Sequence, residues 1–233
     1  MLIKYLIFIK SSMLLFIAPC HSGDLTKEHH TTPRKFQTDT PCNWQVEIKT
    51  TNTWLQRDQN AIKILTDLSE KFPNGIPRPD YERANAEVDL EKNKLQSELD
   101  DLVQRCGWPS QTAFGTLAGQ SAFLIVQHAS TDFQLRYMPV IQEAAEAGEL
   151  PKRHWAILYD RIAVAQGRPQ RYGSQICMQG RSQSIVCGEI ESISDIDARR
   201  ASVGMIPASW CSYLSMMDVT HSSCVANESR KHP

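Results

Sequence analysis

Several absences narrow this sequence before any residue that is present. It has no close cysteine pair of the C-x-x-C type and no H-E-x-x-H or related histidine spacing, so no metal or cofactor is expected. No serine or cysteine stands in a recognised nucleophile motif, which leaves acyl-transfer chemistry without its usual first residue. An excess of one charge is also missing: 25 basic against 26 acidic residues give a net charge of -1. Such a chain has no global field to gather nucleic acid or an anionic membrane. No internal repeat is visible, and 233 residues suit one well-buried domain with loose ends.

What is present begins with an export signal over residues 1–20. Lys4 precedes apolar Tyr5 to Ile9, and Lys10 precedes apolar Met13 to Ala18, before polar residues from His21 onward. The apolar part is too short and interrupted to span a membrane permanently. Ile17-Ala-Pro-Cys20 resembles a lipobox, with Pro19 where a small residue is usual. Lipidation at Cys20 and ordinary cleavage near Cys20 or Ser22 both stand open, and a lipid there would be the chain's one tie to a membrane. The protein is thus expected to be exported, either to the periplasm or beyond it.

Residues 21–43, rich in Thr, His, Lys and Pro, read as a flexible spacer because they bury too little to offset the entropy of ordering. Residues 44–207 form a single mainly helical domain, and 208–233 a C-terminal tail. Setting Cys20 aside leaves an even set of cysteines, which favours disulfides in an exported chain. The expected bridges are Cys177 with Cys187 and Cys211 with Cys224, and Cys42 and Cys106 are further candidates.

Periodicity makes the chain mainly α: a helical bundle with an αα-hairpin and one small C-terminal β-hairpin. Trp54, Asp58, Ala61, Leu65, Leu68 and Phe72 recur at steps of four and three and share one helix face. That stripe places Asp58 inside, with an arginine or a backbone amide as its expected partner. Pro73-Asn-Gly75 ends the helix, and Asp80 is positioned to cap a second one carrying Tyr81, Ala84, Val88, Leu95, Leu99 and Leu102. Lys92 interrupts this second stripe. Ala118 to Ala129 is apolar on almost every side and reads as a central helix ending at Gln127 and His128.

Thr131 or Asp132 caps the next helix, which stops at Gly148 and carries Pro139 inside, predicting a kink or break. Pro151 opens another helix with Trp155, Leu158, Ile162 and Ala165 on its buried face. Ile176–Met178 and Ile185–Cys187 read as a β-hairpin that sets Cys177 opposite Cys187. Ser194 or Asp195 then caps a short helix over 197–203.

Gly107-Trp-Pro109, Val126-Gln-His-Ala129, Gly148-Glu149, Gly167-Arg-Pro-Gln-Arg-Tyr-Gly-Ser-Gln175 and Asp197-Ala-Arg-Arg-Ala-Ser-Val-Gly204 resemble, as an ordered set, a bacterial family of unknown function. Asp58-Gln59 resembles the Asp-Gln pair of that family's first helix, so the likeness covers roughly residues 50–207. Ser130 stands where the family commonly has aspartate. The resemblance implies a fold and a shared polar cluster, and no reaction.

His128 is the first candidate for chemistry, because an imidazole at the end of an apolar helix can be held in one tautomer and act as a base. Asp58 is its candidate catalytic companion, and His154 a second imidazole on another helix. Arg168, Gln170, Tyr172 and Gln175 lie on an irregular turn, where binding groups gather. Gln127, Asp132 and Arg200 complete the candidate ligand-binding set, in which arginines would clamp a carboxylate or phosphate. A helical hairpin returns the chain to the level it left, so the 168–175 turn is expected beside His128, with Tyr172 or Gln170 as its partner and Gln175 next. The expected function is an exported binding or scaffold module with a polar cluster around His128 and that turn, its partner a small anionic ligand or a protein. The alternative is a small periplasmic, hydrolase-like enzyme with His128 as general base.

Overall fold

The computed structural model describes residues 42–179 and 183–224. The expected signal, Cys20, most of the spacer and the last residues of the tail lie outside that range.

α1 (Trp44–Lys71) starts where the Asn43 side chain accepts a hydrogen bond from the Val46 amide. α2 (Arg78–Cys106) starts at Pro77, with Pro79 in its first turn. Proline suits that place because a first-turn amide has no partner within the helix. Asp80 therefore adds charge to the first turn but makes no cap, contrary to expectation. The two helices form an antiparallel clamp. A Cys42–Cys106 disulfide closes one end, with Cα atoms 5.1 Å apart. Along the seam Trp54 donates to Glu98 at 2.9 Å, and Arg57 forks onto both oxygens of Glu98 at 2.8 and 2.9 Å while reaching Glu91 at 2.6 Å. These groups are only about two-thirds covered, so solvent screens them. Arg57→Ala should cost about 1 to 2 kcal/mol, below a fully buried pair, in a denaturant titration.

α3 (Gln111–Phe114) is a single turn leading into α4 (Thr116–Gln127), the buried centre. α4 can approach its neighbours closely because Gly119, Ser121 and Ala122 face them. A Cβ on Gly119 would sit 3.1 Å from the Pro109 carbonyl oxygen, so the Gly107–Pro109 turn needs that glycine. Trp54, Leu95, Leu99, Leu102, Ile141 and Leu158 close the core around α4 and its Phe123.

α5 (Thr131–Glu146) is capped by Ser130, whose hydroxyl accepts from the Phe133 amide, rather than by Thr131 or Asp132. It continues through Pro139, so of the expected kink or break, the break is absent. α6 (Lys152–Ala165) returns antiparallel to α5 as the predicted hairpin. Its buried face is Ala156, Leu158, Asp160, Ile162 and Ala163; Ala165 is exposed and Trp155 only partly covered.

β1 (Ile176–Gln179) and β2 (Gln183–Val186) pair antiparallel, with Cys177 opposite Ile185. The register thus differs by two residues from the expected one. Cys187 sits just past β2, where its amide donates to the Gln175 carbonyl at 3.1 Å. The Cys177–Cys187 bridge forms on the diagonal, with Cα atoms 5.1 Å apart, well inside bonding reach.

α7 (Ile196–Ser202) follows Asp195, whose carboxylate makes no cap and instead takes bonds from Ser192, Ser194 and Arg199. α8 (Trp210–Met216) lies in what the sequence suggested was a tail. Trp210 and Leu214 are each 1 % exposed and share a second core with Ile196, Met217 and Val219, held by a Cys211–Cys224 disulfide. Packing therefore continues past residue 207. Among the described residues no helix is long and apolar enough to cross a membrane.

Candidate functional site

Of the residues nominated from sequence, Asp58 and His128 meet at one interior centre, and Gln170, Tyr172, Gln175 and Arg200 gather at another. At the first, the amphipathic stripe of α1 carries Asp58 inward to meet His128, which caps the C-terminus of α4. Asp58 Oδ1 lies 2.7 Å from His128 Nδ1, with the side chains 2 % and 4 % exposed. Gln59 donates to the other carboxylate oxygen at 3.0 Å. Asp58 thus meets a histidine and the side-chain amide of Gln59, where an arginine or a backbone amide was expected. Lys92, the residue that interrupts the α2 stripe, lies within the field of both Asp58 and Arg161. Burial lowers the Lys92 ammonium, and burial brings Arg161 down to about 10.

A carboxylate on Nδ1 selects the tautomer that leaves a lone pair on Nε2. That second nitrogen is shut off from solvent and has no hydrogen-bond partner among the described residues. The arrangement fixes the orientation of the ring.

The second centre is built around Asp160 of α6, fully buried and not foreseen as a site residue. Its carboxylate accepts backbone amides from Arg171 at 2.7 Å, Tyr172 at 3.1 and 3.2 Å, and Ser174 at 2.9 Å. Burial pushes this carboxyl up, against the downward pull of those amides. The turn can wrap one carboxylate because Gly173 adopts φ +59°. A Cβ at Gly173 would lie 2.3 Å from Trp210 Nε1, the atom that donates to the Gly173 carbonyl at 3.1 Å.

Gln170 has no exposed surface and ties the turn to the β-hairpin, giving Nε2 to Gln175 and Cys187 carbonyls and accepting the Gln175 amide at 2.7 Å. The Gln175 side chain donates to the Ile157 carbonyl at 3.3 Å. Arg200 is 2 % exposed and donates to the carbonyls of Ala208, Tyr172 and Pro207 at 2.9–3.1 Å. Its guanidinium also lies 4.5 Å from the Tyr213 ring centre, and burial pushes that phenol up to about 12.

No hydrogen bond joins His128 to Gln170, Tyr172 or Gln175. The hairpin returns the chain as expected, but the turn meets Asp160 on its own hairpin first. Arg168 is exposed; its guanidinium donates to the Gln166 side chain and lies 5.8 Å from the Tyr159 ring centre, whereas the Arg200 guanidinium is spent on backbone carbonyls. Gln127 contributes its backbone carbonyl, which accepts from Gln134 at 3.0 Å, and Asp132 sits exposed in the first turn of α5.

Asp160 did leave a sequence signal: with Ala156 and Ala163 it continues the apolar face of α6 at steps of four and three.

His154 stands apart from both centres, its ring edge-on to Phe123 at 4.5 Å between centroids. Burial, aided by the neighbouring Arg153, lowers it to about 4. The unfolded chain therefore takes up this proton first as pH falls. Stability should drop by up to about 1.4 kcal/mol per pH unit from about pH 6.5 down to about pH 4, with little further loss from this group below. His154→Gln should flatten that part of a stability–pH curve.

The profile described as Family of unknown function (DUF6624) matches residues 76–222. The match takes in His128 and the whole Asp160 centre, runs past residue 207 through α8, and begins after α1, so it does not include Asp58. No curated protein and no solved structure matches the chain.

Proposed function

Because this chain belongs to a family of unknown function, no activity comes with membership, and we propose from its geometry that it is an exported binding or scaffold module. The observation that carries this reading is closure. Gln170 and Asp160 are 0 % exposed, Asp58 2 % and His128 6 %, and the turn expected to present binding groups spends them on its own backbone. Side chains used in this way brace the surface around them. Three disulfides support export, since such bonds persist in oxidising compartments.

The test pairs two measurements on the purified mature chain. A thermal-shift screen of small anions and other metabolites should find compounds that raise the melting temperature, while esters, amides and phosphoesters should show no turnover. Turnover that disappears in His128→Ala would overturn the reading. One observation favours that rival: His128 Nε2 is poised by Asp58 and unpartnered, as a general base would be.

A further inference from the structure

We infer that the cleft between the end of α5 and the start of α6 receives a free α-amino acid with a medium-sized apolar side chain. This assignment rests on the binding-module reading and names its ligand class. The cleft has a volume of about 180 Å³ and is lined by Gln142, Ala145, Glu146, Lys152, Trp155 and Val203. Pockets for drug-sized ligands run to about 300–1,000 Å³, so this one suits a much smaller molecule.

Its charges are the informative part. Glu146 and Lys152 line the same small cleft with opposite sign, yet among the described residues no ion pair joins them and the Lys152 side chain makes no hydrogen bond. Glu146 instead accepts from Gln142 at 2.8 Å. Lys152 is also the first residue of α6, a 14-residue helix whose N-terminus has no side-chain cap. A carboxylate is favoured there by the lysine and by the helix dipole, and an ammonium is favoured by Glu146. A zwitterion satisfies both at once, whereas an acid or an amine leaves one charge facing its like.

The remaining surface sets the side chain. Ala145, Trp155 and Val203 are its apolar lining. The Trp155 floor is rigid, because its ring packs on Tyr159 at 5.7 Å and on Tyr172 at 6.0 Å. Tyr172 is in turn fixed through its amide by Asp160 and through its carbonyl by Arg200. The turn thus acts at one remove, as support for the wall of a site.

The experiment is a calorimetric titration of the full mature chain with L-leucine and L-valine, against isovalerate and isobutylamine, which each keep one charge. The amino acids should bind saturably and at least about tenfold more tightly than either control, with affinity falling as salt is raised. Glu146→Gln and Lys152→Gln replace exposed residues, so both variants should melt as the parent does while each weakens the amino acid by about tenfold. Binding should also change the tryptophan fluorescence of the parent and not of Trp155→Phe. Equal affinity for the single-charge controls, or binding unchanged in both charge variants, would overturn the assignment. If no amino acid binds while another compound stabilises the chain, this cleft is wrongly assigned and the module reading stands. His128-dependent turnover would instead remove the module reading whatever the cleft binds.

Discussion

An Asp160→Ala variant should lose at least about 3 kcal/mol of stability in a denaturant titration, because two buried amides and one part-buried amide lose their acceptor at roughly 1–3 kcal/mol each. Asp160→Asn should fall between this variant and the parent. The amide spares the burial cost that raises the carboxyl, but it turns one acceptor oxygen into a donor facing backbone N–H groups. Hydrogen exchange locates the effect: the amides of Arg171, Tyr172 and Ser174 should be protected in the parent and exchange together in the variant. A loss under about 1 kcal/mol, with those amides still protected, would mean that the turn holds its shape without the carboxylate. The loss should also reach α7 and α8, since Arg200 and Trp210 bond the carbonyls of Tyr172 and Gly173 within the turn.

This second centre explains what sequence could and could not supply. The helices were legible because burial repeats along them: the α1 stripe from Trp54 to Leu65 and the α2 stripe from Ala84 to Leu102 both face the core. The bridges Cys177–Cys187 and Cys211–Cys224 were legible from parity and proximity. What failed was the pairing of polar groups, because periodicity places a residue inside without saying what it meets there. Asp58 was placed inside correctly, but its partner lies 70 residues away on another helix. Arg200 was read as an anion clamp because arginine has five donors, yet here they go to carbonyl oxygens that nothing in the pattern marks. Trp210 was read as part of the 208–233 tail because its seven-residue helix is too short for a stripe to emerge.

Asp58→Ala should cost about 3–5 kcal/mol, the range for removing one partner of a buried pair. The loss has two parts, and two further variants separate them. Asp58→Asn keeps an oxygen that can accept from His128 Nδ1–H, so it removes charge while sparing geometry, and its cost measures what the carboxylate field contributes to the imidazole and to nearby Lys92. His128→Ala leaves Asp58 with Gln59 and the Lys92 field, and should therefore cost less than Asp58→Ala only if those neighbours take over the carboxylate. A double-mutant cycle between Asp58 and His128 then reads their coupling directly, and a contact of 2.7 Å with both side chains under 5 % exposed should give a strongly non-additive result. The functional consequence follows from the same cycle. If the pair is structural, each loss of stability should account for any loss of binding, and ligand affinity measured well below the melting temperature should be unchanged. If His128→Ala instead leaves the melting temperature within a degree or two of the parent and abolishes an activity, the closed interior is a resting arrangement around a working base, and the unpartnered Nε2 is the atom that does the chemistry.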